Sequence, residues 1–244
     1  MVRDFNNKVN IVGVIHARGG SVRIPLKNIK PLGGIPLISY IIKAALGSKY
    51  LRRVIVSTDH QEIKRIALEC GAEVPFIRPP HLSTDCPSEW VSQHAVEFVE
   101  AQESMPVDIV VTMQPTTPFC LSSDIDACLD ILLSFPELNS VFSGKTVRER
   151  PEWIFLVQEN NHAQLLLEGE LKGERGIFQS LPSLVIPNGA VYATRRNTLF
   201  TEGVIISQKT GVHIVSPERS VDIDEPLDLL FAEFLLAKGV INYE

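Results

Sequence analysis

Two glycines and three spaced cations share the segment HARGGSVRIPLKN, His16–Asn28. The continuously apolar run Ile11–Ile15 feeds straight into it. Glycines let backbone approach a ligand closely, and the successive amides of Gly19, Gly20 and Ser21 can form a concave nest for an anion. Arg18 and Lys27 then supply charge-assisted bonds to phosphate oxygens, with Arg23 a third candidate. Neither Gly-x-Gly-x-x-Gly nor Gly-x-x-x-x-Gly-Lys-Ser/Thr occurs, so dinucleotide and P-loop readings lose their main support. The plain alternative is a solvated turn. Two glycines and three cations on one loop favour a phosphate site.

A second constellation lies far along the chain, in Ser-Val-Asp222-Ile-Asp224-Glu-Pro. In extended chain alternate residues share a face, so both carboxylates can point one way. Two hard carboxylates suit a hydrated Mg²⁺ that completes its shell with substrate phosphates. Asp224 could instead cap the next helix, with Glu225 and Pro226 in its first turn. That reading leaves Asp222 unexplained, and the spacing does not choose between them. Together with the cationic loop, the pair suggests Mg-nucleotide chemistry. Ser57-Thr58-Asp59 and Gln114-Pro115-Thr116 add polar groups at two strand ends, although Asp59 could equally cap the following helix. Cys120 and His94 have no partner at a telling spacing and read as core or surface.

These segments need a scaffold that brings them together. Strands are expected at Ile11–Ile15, Val54–Val56, Glu73–Ile77, Asp108–Met113, Asn188–Thr194 and Val212–Val215. Helices are expected over Pro36–Gly47, His60–Cys70, Ser88–Glu103, Ser123–Ser134 and Pro226–Lys238, with Ser88 and Ser123 as caps. Repeated β-α-β units imply an α/β fold, a mostly parallel sheet with helices on both faces and right-handed crossovers. Ligands bind beyond the carboxyl ends of such strands. The loops His16–Asn28, Ser57–Asp59 and Gln114–Thr117 should therefore meet on one edge. Between about 145 and 187 the rhythm breaks into hairpin-like punctuation, with an Asn-Asn turn at 160–161. This stretch reads as an insertion in a single domain of 1–244, covering the site or making a subunit contact.

Composition narrows the classes. The chain has 244 residues, 45% of them hydrophobic and 21% charged, with a net charge of −6 and no basic patch. That argues against nucleic acid as a partner. Four cysteines at irregular spacing exclude a zinc ribbon or a Cys-x-x-Cys redox site. No apolar run approaches the roughly 20 residues that span a bilayer. The polar first residues lack a signal-peptide core. A reduced, cytoplasmic protein with no membrane partner is expected.

The motifs ARGGSxRIPLKNIKPLGGxPLI, VIVSTDxxEI, GAEVPFxRP, QPTTP, PNGAxY and SVDIDEPLDL, in this order and over nearly the whole chain, resemble the acylneuraminate cytidylyltransferases. The resemblance implies attack of a sugar-acid hydroxyl on the α-phosphate of CTP, giving a CMP-sugar and pyrophosphate with Mg²⁺ as cofactor. It also implies a Rossmann-like α/β domain and a homodimer, with 145–187 as the small dimerisation element. By similarity Arg18, Gly19, Gly20, Ser21, Lys27 and Asn28 would hold the triphosphate, and Arg78 would lie near the cytosine. Gln114, Gln179 and Asn188 would contact the sugar, and Asp222 and Asp224 would hold the metal. Several positions depart from the family pattern. Val22 stands where Lys is common, Cys120 where Arg is common, and Phe178 and Ile186 where arginines often grip the sugar carboxylate. That contact would be lost or shift to Arg175. A legionaminate-like nonulosonate is therefore expected over N-acetylneuraminate. The departures also leave two alternatives, a nucleotidylyltransferase for another sugar or sugar phosphate, and a nucleotide-binding module without turnover.

Overall fold

The computed structural model of the chain describes residues 9–147, 149–167 and 183–241. Its strands are β1 (Ile11–His16), β2 (Pro31–Leu32), β3 (Ile35–Pro36), β4 (Arg53–Ser57), β5 (Ile109–Met113), β6 (Ser140–Val147), β7 (Phe155–Val157), β8 (Ala163–Leu165), β9 (Leu184–Arg195) and β10 (Thr210–Ile214). The helices are α1 (Leu37–Gly47), α2 (Gln61–Glu69), α3 (Ser88–Glu103), α4 (Ser122–Ser134) and α5 (Pro226–Ala237). Six strands form the central sheet in the order β10-β6-β9-β5-β1-β4. Within this sheet β9 alone runs against its neighbours, and the other described pairs of the sheet are parallel.

Strand alternation divides the core into two layers. Ile11, Ile15, Val54, Val56, Val111 and Met113 face α1, α2 and α4. Val12, Val14, Ile55 and Val110 face Ala95, Val96 and Val99 of α3. Both faces are covered, which is why these strands read as unbroken apolar runs. Each buried aliphatic side chain contributes about 1.5–3 kcal/mol against exposure to water.

A third apolar cluster matters most for the site. Ile24 of the cationic loop and Ile223 of the aspartate segment pack with Leu32, Leu37, Tyr40, Phe119, Ala232 and Leu235. Ile223 is fully buried. Its anchoring leaves Asp222 and Asp224 as its flanking neighbours, while Ile24 fixes the loop between Arg23 and Lys27. The Tyr40 hydroxyl donates to the Leu32 carbonyl at 2.8 Å, closing the polar end of this cluster.

Register places the functional edge. His16 lies opposite Ser57, and Ile15 lies opposite Met113, so the loops after β1, β4 and β5 leave the sheet side by side, as expected. Other expectations change. Glu73–Ile77 is no strand; a single bridge joins Glu73 to Ile55, because Pro75 cannot continue a ladder. Strand β6 has no counterpart in the sequence-based reading. Its Ser, Gly and Lys residues mask the pattern, and its register with β9 shifts between Phe142 and Gly144. In the insertion β7 and β8 form a two-stranded hairpin, with Asn160 and Asn161 at its turn and both in left-handed conformation.

The expected caps also differ. Pro87, not Ser88, occupies the cap position of α3. At α4 the Asp124 carboxylate accepts the Leu121 amide at 2.8 Å, and Ser123 is not the cap. His60 caps α2, its Nδ1 accepting the Glu62 amide at 3.2 Å, which frees Asp59 for another role.

Candidate active site

The loops after β1 and β5, residues 84–88 at the start of α3 and the segment before α5 line a cleft of about 720 Å³. Arg18, Ser21, Arg23, Lys27 and Asn28 line it from the β1 loop, Gln114 and Thr116 from the end of β5, and Asp224 from the far segment. His16 and Arg78 close its inner end.

Lys27 and Asp224 meet across the cleft, Nζ to Oδ1 at 2.8 Å. Arg23 stands 3.9 Å from the other oxygen of the same carboxylate. Asp224 is therefore not the cap of α5. That position belongs to Glu225, and Asp228 accepts the amides of both Asp224 and Glu225 at 2.9 and 2.8 Å. Asp222 lies deeper. Its Oδ1 is buried and has no hydrogen-bond partner among the described residues. Burial pushes its pKa above the usual carboxylate range; the Thr116 hydroxyl opposes this, Asp224 adds to it, and Lys27 and Lys145 pull it back. An orphaned carboxylate oxygen in a buried place is costly unless something positive binds it. The two aspartates therefore fit a hard cation as part of an oxygen shell.

Gly189, at φ +87, lets this corner form. A Cβ there would stand 3.1 Å from Thr117 Oγ1 and 3.4 Å from Asp222 Oδ2, in a backbone conformation that side chains resist. The segment before Asp222 is pinned as well. Arg219 and the buried Asp124 pair at 2.5 and 3.2 Å, and His213 Nε2 lies 3.1 Å from the same carboxylate.

The β1 loop is partly occupied by its own contacts. Asp59 accepts the Gly19 amide at 2.8 Å, and Ser21 donates its amide to the Gly19 carbonyl at 2.9 Å. A Cβ on Gly19 would stand 2.9 Å from His60, so this glycine is needed for packing, whereas Gly20 faces open space. Asn28 is buried and donates to the Arg18 carbonyl at 2.8 Å, holding the loop's shape. Arg18 reaches Asp85 at 2.5 Å, but Asp85 is 93% exposed. A pair so exposed is worth about 0–1 kcal/mol, so an incoming polyanion displaces Asp85 at little cost.

Arg78 is 5% exposed and donates to the Ser57 hydroxyl at 3.0 Å and to the Ser57 carbonyl. Burial lowers its pKa to about 10, which still leaves it charged at neutral pH. Asn188 sits apart from the cleft wall. Its Oδ1 accepts from Ser143 at 2.6 Å and its Nδ2 donates to Ser220 at 3.1 Å, joining β9 to the segment before Asp222. Arg175, Phe178 and Gln179 lie outside the described residues.

Sequence reading set His16 on the expected edge but gave it no role, and it missed Asp85 as part of this cleft. His16 follows directly on an apolar strand and stands just before the glycines, so its position was the only available signal. The sequence pattern of the cytidylyltransferase family matches residues 12–211, which span both the β1 loop and most of the sheet. The chain belongs to the cytidylyltransferase family. It is 35% identical over 234 residues to a pseudaminic acid cytidylyltransferase of Campylobacter jejuni, covering 95% of this chain and 97% of that one. It is 30% identical over 231 residues to a CMP-N,N'-diacetyllegionaminic acid synthase of Legionella pneumophila, covering 93% and 97%. Among solved structures, a CMP:2-keto-3-deoxy-manno-octonic acid synthetase complexed with CTP shares the fold at a TM-score of 0.67 and 20% identity, over 94% and 99% of the two chains. The resemblance drawn from the motifs is thus borne out at the level of family and fold.

Proposed function

We propose that this cytidylyltransferase joins the cytidylyl group of CTP to a nonulosonic acid of the legionaminate or pseudaminate type, releasing pyrophosphate. The Lys27–Asp224 contact carries the proposal, because it sets the cationic loop against the acidic segment across one cleft. Arg18, Arg23 and Lys27 bind the phosphates and offset the charge that builds on the leaving pyrophosphate. The anomeric hydroxyl oxygen bonds to the α-phosphorus as the bond to the bridging oxygen breaks, and the hydroxyl proton passes to solvent. Gln114, at the end of β5, faces the cleft and orients the sugar. Alignment rather than a dedicated base supplies most of the acceleration.

Asp222 and Asp224 would hold Mg²⁺, which when bound screens the phosphates and polarises the attacking hydroxyl. The unpartnered oxygen of Asp222 supports that assignment. Arg175 and Gln179 serve as further sugar contacts in this reading, and Asn188 acts through the position of β9. Since Ile186 is 44% exposed and carries no charge, the sugar carboxylate must be met elsewhere.

The β7–β8 hairpin makes the subunit contact. Phe155, Leu156 and Val157 are 46%, 52% and 80% exposed, a row of apolar side chains that water does not favour. We place the enzyme in the cytoplasm as a homodimer. Among the described residues no helix is long and apolar enough to cross a membrane. Mass detection of the CMP ester after incubation with CTP, Mg²⁺ and each candidate acid tests the proposal. A product with a hexose 1-phosphate, and none with any nonulosonate, overturns it.

A further inference from the structure

His16 ends β1 at the inner wall of the cleft, and the roles assigned so far leave it unused. Its Nε2 lies 3.0 Å from Ser92 Oγ on α3, and Ser92 Oγ lies 2.7 Å from Thr112 Oγ1 on β5. Ser92 and Thr112 are both fully buried. Three elements thus fix the ring through a chain of hydroxyls, and Nδ1 is the nitrogen left for the cleft.

The wall around His16 differs from the rest of the cleft. Pro87 and Val91 share this lining, and the Arg78 guanidinium, also in the lining, is engaged with Ser57 and the Leu82 carbonyl. Arg18, Arg23 and Lys27 project from the loop beyond. His16 is partly exposed to the cleft, and the burial of its ring, helped by the Arg78 charge, holds its pKa down to about 3. The ring is therefore neutral at working pH. A neutral heteroaromatic group brings no charge to phosphate binding, but it can match the donor and acceptor edge of a planar base.

We propose that His16 is a specificity-determining residue that reads the base of the nucleotide, donating from Nδ1 to the N3 acceptor of cytosine. The proposal rests on the reading of CTP as substrate. In this arrangement Ser92 donates to Nε2, which keeps the hydrogen on Nδ1. Uracil presents a donor at N3, so the same hydrogen would meet a hydrogen and reject it. Sites built to hydrogen-bond one edge discriminate by leaving polar groups unpaired with the wrong ligand.

The test compares initial rates of pyrophosphate release with CTP and with UTP for the wild type, His16→Ala and Ser92→Ala, with thermal unfolding of each as the fold control. His16→Ala should raise KM for CTP about tenfold and cut the CTP-over-UTP ratio of kcat/KM by about as much. KM for the sugar acid should stay the same. Ser92→Ala keeps the ring but releases its tautomer, and should lower the ratio by a smaller factor. An unchanged ratio in both variants overturns the inference, as does a loss of thermal stability with KM for CTP and the ratio unmoved. No CTP turnover by the wild type itself would instead refute the reading of substrate on which the inference rests.

Discussion

Lys27 Nζ lies 2.8 Å from Asp224 Oδ1, although the two residues are 197 positions apart in the chain. Ile24 and Ile223 bring them together by packing into one apolar cluster beneath the cleft. Lys27 is 13% exposed at its side chain and Asp224 54%, so the ammonium is the more firmly placed partner. A phosphate can take up that ammonium once a cation or solvent satisfies the carboxylate. Lys27→Ala should therefore lower kcat/KM for CTP by about 10²- to 10³-fold, as for loss of one preorganised electrostatic contact. Circular dichroism should show the fold retained. A variant within threefold of wild type would remove Lys27 from the phosphate site.

Asp222 makes a different prediction, because it is costly to the metal-free fold. Its pKa is raised in the folded state, chiefly by burial, so its contribution to stability is fully present below the ordinary carboxylate pKa and is lost as pH rises through the raised value. At neutral pH Asp222→Asn should raise the melting temperature of the metal-free protein by roughly 2–4 °C, the shift that about 1 kcal/mol brings in a chain of this size. The same substitution should cut turnover by orders of magnitude and abolish any melting shift caused by Mg²⁺. A variant that keeps a wild-type response to Mg²⁺ would contradict the metal assignment.

Arg219 shows what sequence reading could not supply. The motif SVDIDEP and the cationic loop were both legible, since glycine, proline and charge at fixed offsets have local causes. Their relative placement was not, because it depends on Ile223, Asp124 and the strand β6, whose partners are distant in sequence. The caps of α3 and α4 were misread, since Pro87 and Leu121 hold the positions expected for Ser88 and Ser123. Asp59, an alternative cap for α2, is taken by Gly19, and Asp124 serves Arg219 and Leu121 at once. Arg175 and Gln179 fall outside the described residues, so that part of the sugar site rests on resemblance.

Removing Arg219 tests this buried joint. Asp124 is 3% exposed at its side chain, and Arg219→Ala would leave it with His213 as its remaining side-chain neighbour among the described residues. The expected cost is about 3 kcal/mol, near the low end for breaking a buried pair. Because the pair holds the segment leading to Asp222, turnover should fall as well, while KM for CTP changes less. Urea unfolding and steady-state kinetics on one preparation would check both parts.

Acid stability has a separate source. Glu100 pairs with Arg196 at 2.6 and 2.8 Å and accepts the Val107 amide at 2.9 Å. The Arg196 hydrogen bonds, aided by that amide, hold its pKa below the ordinary value. Its stabilisation is present above the unfolded carboxylate pKa of 4.5 and is lost as pH falls through the lower folded value. Glu100→Gln should be less stable than wild type at pH 7, with the gap closing toward pH 3. A gap independent of pH in a melting series would assign the effect to packing alone.

The subunit contact can be tested at Val157, which is 80% exposed on β7. Val157→Asp should yield a monomer in sedimentation velocity at concentrations where the wild type is a dimer. A wild-type monomer, or a dimer untouched by the substitution, would reject the hairpin as the contact.

The central claim is tested most directly by pyrophosphate release with Mg²⁺ and each nucleoside triphosphate. The acceptor panel would contain N-acetylneuraminate, its deaminated form, legionaminate, pseudaminate, an eight-carbon 2-keto acid and hexose 1-phosphates. The account predicts release with CTP and a legionaminate- or pseudaminate-type acid, reduced to near background by Lys27→Ala. Release with a hexose 1-phosphate and none with any nonulosonate, or equal release by the Lys27→Ala variant, would contradict it.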